Sequence, residues 1–192
     1  MTQTGTHAAG VTRRRLFGLA AGLAAVAAAP VYARAPGLLR GAGDIRRIRM
    51  TNPRTGEAMD AIYWIDGAYI PEVMHEISFF MRDWRENQLI AFDPRAIDIM
   101  AAAHRLMDTT EPYNVISGYR SKVTNAMLRS RNRGVASNSY HMKGMAADVR
   151  LRSRSVGQMY AAAMACHAGG VGKYTRSNFV HMDCGPVRTW GR

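Results

Sequence analysis

The fold class this sequence predicts is an α+β domain, a small and mostly antiparallel sheet with helices packed on it. Three observations predict it. Segments that alternate apolar and polar residues are joined by tight-turn residues, as between 45 and 65. Segments with apolar residues at helical spacing open on proline, at Pro71 and Pro94. The two kinds are interleaved along the chain instead of being grouped, and part of the strand set is joined by short turns.

The N-terminus reads as an export signal. Thr12, Arg13, Arg14, Arg15, Leu16 and Phe17 precede a run rich in alanine, glycine and leucine over residues 16–29, and residues 31–33 put small side chains where a signal peptidase reads. This divides the chain into a twin-arginine signal peptide at 1–33, a short linker at 34–44 and one folded domain at 45–192. The apolar run is shorter than the roughly 18 residues a membrane-spanning helix needs, so the mature protein has no stable membrane insertion; an uncleaved signal serving as an anchor is the alternative. About 160 residues remain after cleavage, enough for one domain with its own core.

Charge narrows the partners. The formal net charge is +12, of which Arg13, Arg14 and Arg15 supply three. A basic chain in the cytoplasm would suggest nucleic acid, but an exported one meets the anionic cell envelope, so no nucleic acid is expected. Arg129, Arg131 and Arg133, and the alternating Arg150, Arg152 and Arg154, read as solvated faces.

Within the domain, residues 45–65 read as a β-hairpin turned by Asn52, Pro53, Thr55 and Gly56, and Asp66 with Gly67 marks a further turn. Pro71 opens a helix through about Trp84, with Val73, Met74, Ile77, Phe80, Met81 and Trp84 at helical spacing as core. Asp93 caps a second helix, through about Met107, whose stripe is Ile97, Met100, Ala101 and His104. A short strand at 113–116 delivers Ser117, Gly118, Tyr119 and Arg120 to the sheet edge. Residues 155–167 form a third helix ended by Gly169 and Gly170. His75 and His104 lie on predicted helices and His167 in a last helical turn, where a histidine is ordinarily structural.

Two stretches carry the chemistry. Residues 137–150 contain His141 and Asp148, and residues 178–185 contain His181 and Asp183. His141, Asp148 and His181 are two neutral nitrogen donors and a carboxylate, a set that suits a zinc ion left with one open position. A gap of seven is too long for one helical face, so His141 and Asp148 are expected on two extended pieces joined by a turn, with Gly144, Ala146 and Ala147 letting backbone pass close to a metal. Residues 178–183 alternate as a strand, which puts Phe179, His181 and Asp183 on one face. Cys184 would point the other way. Cys166 and Cys184 are open to a disulfide in an oxidising compartment, and Cys184 to metal ligation by its position alone.

Ser139-x-His141-x-x-Gly144-x-Ala146-x-Asp148 resembles the signature of the zinc peptidases grouped with lysostaphin, the D-alanyl-D-alanine metallopeptidases and the amino-terminal domain of sonic hedgehog. Within that group, Gly169, Gly170, Val171 and Gly172, followed by Arg176 through His181, then Asp183, Gly185, Pro186, Arg188 and Trp190, resemble the murein endopeptidase K family. Ser117, Gly118, Tyr119, Arg120 and Ser121 form a third similar block, and the likeness runs from about Ile45 to the C-terminus.

The resemblance implies a hedgehog/D,D-peptidase-like fold with Zn2+ on His141, Asp148 and His181. It also implies an exported, periplasmic metallo-endopeptidase that hydrolyses peptide cross-links of peptidoglycan, including the L,D bond between two diaminopimelate residues. A carboxypeptidase trimming stem peptides, and a zinc-stabilised wall-binding module, are the alternatives. Many relatives in the wider group place a glutamate base three residues before the last histidine, where this chain has Asn178. Asp183 is the acidic substitute as general base, or else the carboxylate that orients His181. Arg120 matches an arginine that stabilises charge on the carbonyl oxygen, with a structural ion pair as its other reading. Ser139 and Tyr174 are the candidate substrate-binding residues. Oligomeric state is not legible.

Overall fold

The computed structural model describes residues 45–191; the expected signal peptide and linker lie outside them. The described chain is an α+β fold built on one eight-stranded sheet. Its strands are β1 (Ile45–Thr51), β2 (Ala58–Ile65), β3 (Ala68–Tyr69), β4 (Tyr113–Ser117), β5 (Ala146–Arg150), β6 (Gly170–Tyr174), β7 (Phe179–Asp183) and β8 (Arg188–Gly191). They lie in the order β3-β2-β1-β4-β5-β7-β6-β8. Only β1 with β4 and β6 with β8 pair in parallel; the other neighbours are antiparallel, as expected.

The first hairpin forms where the turn residues demand it. Asn52 accepts from the amide of Gly56 through its carbonyl and from the amide of Arg54 through its side chain, and Gly56 takes φ 76°. Helix α1 (Pro71–Phe80) is shorter than its apolar period suggests. The Met81 carbonyl accepts from Tyr119 at 2.7 Å and the Asp83 amide donates to Gln88 at 2.8 Å, so the backbone is committed to tertiary partners before the pattern runs out at Trp84. Helix α2 (Pro94–Leu106) starts as read, with the Asp93 carboxylate accepting from the Arg95 amide.

Helix α3 (Lys122–Arg131) contains the first two arginines of a run read as a solvated face, and its helical character is absent from that reading. It carries no apolar stripe, because the side chains it buries are Thr124 and Asn125; the sequence signal for it is the cap, Ser121 Oγ accepting from Thr124 N at 3.0 Å. Helix α4 (Val156–Ala165) opens with a capping box of Ser155 and Gln158. It ends before Gly169, with His167 already left-handed at φ 47° and no longer in the helix.

Helices α2 and α4 pack on each other and on one sheet face. Ile97, Met100, Met159 and Ala163 meet Met50, Val115, Ala147, Val149, Val180 and Met182 there. Each large buried apolar side chain in that layer contributes about 1.5–3 kcal/mol. The pleat then decides everything else. With Ala147, Val149, Val180 and Met182 in the core, Asp148, His181 and Asp183 must lie on the opposite face. No helix among the described residues is long and apolar enough to cross a membrane.

Candidate metal centre

Three adjacent strands and one turn assemble the site. Asp148 on β5 is paired with His181 on β7, and Ala146 with Asp183. On the other side of β5, the register shifts between Val115 and Ser117, so that Ser117 comes opposite Asp148. A bulge of this kind re-aims side chains, and here it turns Ser117 toward the same face.

His141 arrives differently from the expectation of an extended segment. It sits in a 3₁₀ turn (Tyr140–Lys143) whose N-terminus is capped by Ser139 Oγ and whose end is closed by Gly144 at φ 65°. A residue with a Cβ at 144 would also stand 3.0 Å from the Ala91 carbonyl oxygen. Gly144 is therefore needed for the turn and its packing, while Ala146 and Ala147 are fully buried strand residues. A tight turn followed by a strand uses up the seven-residue gap and brings His141 over Asp148.

The donor atoms converge. His141 Nε2 lies 3.2 Å from Asp148 Oδ1 and 3.2 Å from His181 Nδ1, and His181 Nδ1 lies 2.9 Å from Asp148 Oδ1. The edges of a tetrahedron around zinc with ordinary ligand bonds are about 3.3 Å, so the set is spaced to share one ion. Proton accounting points the same way. His141 Nδ1 donates to the Gly118 carbonyl at 2.7 Å, and His181 Nε2 donates to Asp183 Oδ2 at 2.9 Å. With those ring protons assigned outward, two nitrogen lone pairs and a carboxylate oxygen face one another, an arrangement that calls for a cation.

Ionisation follows from the same contacts. Burial, helped by the Arg120 charge, lowers the His141 pKa to about 4, so its nitrogen is free at neutral pH without proton loss. Burial opposes a charge on His181 as well, but its bonds to Asp148 and Asp183 outweigh that and raise its pKa. Burial pushes the Asp148 pKa up, and its interactions with the His141 ring and with the Arg120 charge reverse this and hold it well below the carboxylate range.

A cleft of about 490 Å³ opens over these atoms on the face away from α2 and α4. Arg120, Ser139 and Tyr174 line it together with His141, Asp148 and His181. Arg120 Nη2 donates to Asp148 Oδ2 and its Nε to Ser117 Oγ at 2.7 Å. Tyr174 Oη accepts from Trp190 Nε1 at 2.9 Å. Asp183 lies beneath this surface with no exposure, and its two oxygens accept from His181, Gly170, Gly185 and Arg188. Asn178 takes φ 53° at the end of the turn between β6 and β7, a conformation asparagine tolerates well, and it does not line the cleft. Cys166 and Cys184 are buried and unbridged; burial raises both thiols, to about 11 and about 12, with the Asp93 charge adding to the second.

Arg188, Trp190, Ser117 and Gly118 belong to the site or its supports without a role legible in the spacing. Glycines make room for them. A Cβ at Gly172 would stand 2.6 Å from the Trp190 ring, and one at Gly118 would stand 2.5 Å from the Met81 carbonyl oxygen. The loop that carries Gly118 is anchored by Asp83, which is 1% exposed and accepts from the Ser121 amide at 2.9 Å and the Arg85 amide at 3.1 Å.

Burial alone would raise the Asp83 pKa, but the neighbouring Thr124 side chain and the bond from the Ser121 amide overcome this and hold the carboxyl below its ordinary value. A depressed carboxylate adds stability that is fully present above its unfolded pKa of about 3.9 and is lost as pH falls through the folded value. Urea unfolding of Asp83→Asn should show wild type ahead at pH 7 by about 1–3 kcal/mol, with the gap closing below about pH 4. A gap independent of pH would contradict this account of the loop.

Comparisons with known proteins give the family. The family described as peptidoglycan L,D-endopeptidase MepK matches residues 40–190. The peptidoglycan L,D-endopeptidase MepK of Escherichia coli K12 is 42% identical over 145 residues, 76% of this chain and 80% of that protein. The probable peptidoglycan L,D-endopeptidase MepK of Haemophilus influenzae is 38% identical over 146 residues, 76% of this chain and 78% of its own length.

Proposed function

The chain belongs to the peptidoglycan L,D-endopeptidase MepK family, and from that premise we propose that it is a periplasmic zinc endopeptidase hydrolysing the L,D peptide cross-links of murein. The observation that carries this reading is the convergence of His141 Nε2, Asp148 Oδ1 and His181 Nδ1 at the floor of a cleft. Two imidazoles and one carboxylate favour zinc over calcium or magnesium, which prefer all-oxygen sites. A zinc ion there supplies Lewis acidity, polarising a carbonyl and making water nucleophilic near neutral pH.

The chain's own residues supply the rest. Arg120 spends Nε on Ser117 and Nη2 on Asp148, which leaves the hydrogens of Nη1 for a carbonyl oxygen that gains charge. The structural and electrophilic readings of Arg120 are therefore compatible in one side chain. Ser139 Oγ and Tyr174 Oη each act as acceptors within the protein, so their own protons are available to substrate groups in the cleft.

For Asp183, the role of orienting His181 has the better support. Its oxygens already accept five hydrogen bonds, more than the roughly four acceptor sites of a carboxylate, and it does not line the cleft. Export through the residue 1–33 signal would deliver the basic domain to its anionic substrate.

Purified sacculi, incubated with the protein and analysed by chromatography of the muropeptides, provide the test. L,D-cross-linked dimers should decline and monomers accumulate, a chelator should stop the reaction, and zinc should restore it. Trimming of monomer stems with the dimers left intact would identify a carboxypeptidase instead. Retention of the protein on sacculi with no change in any muropeptide would identify a binding module.

A further inference from the structure

Arg188 pairs with Gly170, which in turn pairs with Asp183, two residues along β7 from His181, and neither the spacing nor the site chemistry described so far gives it a task. Its Nη1 donates to Asp183 Oδ1 at 3.0 Å and its Nη2 to Asp183 Oδ2 at 2.7 Å, a two-pronged grip on a carboxylate with no solvent exposure. Nη1 also donates to the Pro186 carbonyl at 3.0 Å, which ties the guanidinium to its own turn. The group lies between two rings, 5.0 Å from the Tyr140 centroid and 4.9 Å from that of Trp190. Below it, β8 runs beside β6 with Arg188 opposite Gly170, and a Cβ at Gly170 would stand 2.5 Å from Asp183 Oδ2. Turn, rings and glycine therefore hold the guanidinium from three sides, which a freely solvated surface arginine does not require.

We propose that Arg188 is a positioning residue for the metal centre, acting through Asp183: it locks the carboxylate plane so that Oδ2 receives the His181 Nε2 proton, which leaves His181 Nδ1 aimed at Asp148 and His141. The proposal rests on the reading of His141, Asp148 and His181 as metal ligands. The amides of Gly170 and Gly185 both bond Oδ1, so they fix one oxygen and leave the carboxylate free to swing about it. Arg188 is the donor that, besides His181, reaches Oδ2 among the described residues. Removing it lets Oδ2 move from the imidazole, and the ring loses the partner that sets its angle. An ammonium cannot take its place fully, because it is a single point donor where the guanidinium matches both oxygens at once.

The test is zinc affinity, measured by competition with a chromogenic chelator for wild type, Arg188→Ala and Arg188→Lys, with the folded fraction of each checked by circular dichroism. Loss of a carboxylate partner behind a metal-bound histidine weakens binding about 10–100-fold. That range is expected for Arg188→Ala, with Arg188→Lys between it and wild type. Millimolar guanidinium should restore part of the affinity of Arg188→Ala, and the visible spectrum of its cobalt form should differ from that of wild type. A merely structural arginine would lower the unfolding midpoint without moving affinity, cobalt spectrum or rescue. Folded Arg188→Lys or Arg188→Ala protein that binds zinc as tightly as wild type overturns the proposal while leaving the function above intact. Wild type that binds no zinc overturns both.

Discussion

His141→Ala is expected to lose cleavage of murein cross-links by on the order of a thousandfold or more. A metal held by these residues would lower the barrier by several kcal/mol, and each 1.36 kcal/mol is tenfold in rate. His141 supplies one of three donors, and two remaining donors do not define a site for a four-coordinate ion. The variant also strands the Gly118 carbonyl, which receives the His141 Nδ1 proton in the interior, at a cost of about 1–3 kcal/mol. That second effect requires a control. Zinc content and muropeptide release should both collapse while circular dichroism at 25 °C stays that of a folded protein. Release undiminished in the variant would remove His141 from the chemistry.

The site was legible in the sequence to the extent that it is local. His141, Asp148 and His181 stand in blocks whose spacing and small residues point to a metal, and the period of two over β7 puts His181 and Asp183 on one face. What spacing does not show is depth. Asp183 shares the face of His181 yet lies under the cleft, because Arg188 and two backbone amides, all from other pieces of chain or a later turn, close over it. The conformation at His141 departs from the expected extended segment for a related reason. Ser139 and Gly144 bracket a single 3₁₀ turn, a cap and a left-handed stop so close together that no periodic signal can develop between them. Helix α3 is invisible to periodicity because what it buries is polar. The premature end of α1 depends on Gly118 docking on Met81, thirty-seven positions away in a contact no local pattern encodes.

Gly169→Ala is expected to be among the most damaging single-methyl additions in the domain, about 3 kcal/mol, at the upper end of the range for overpacking. A Cβ at 169 would overlap the Asp183 carbonyl oxygen and stand 2.9 Å from the Asp183 carbonyl carbon and 3.2 Å from Cys184 Cα. All three are backbone atoms, so no side-chain rotation relieves the clash; β7 must move away from the start of β6. Its end is held by the Cys184 amide bonded to the Met145 carbonyl at 3.1 Å and by Asp183 paired with Ala146 and Gly170. Displacement there reaches His181 two residues earlier, so zinc affinity should fall together with the urea midpoint. Gly157→Ala supplies the contrast. Gly157 lies in the first turn of α4, and the nearest atom to its added Cβ is Ser155 Oγ at 3.8 Å, so the same methyl should stabilise by up to about 1 kcal/mol through helix propensity. Equal unfolding midpoints for the two variants would mean that the contact between Gly169 and Asp183 does not hold the strand that carries His181 in place.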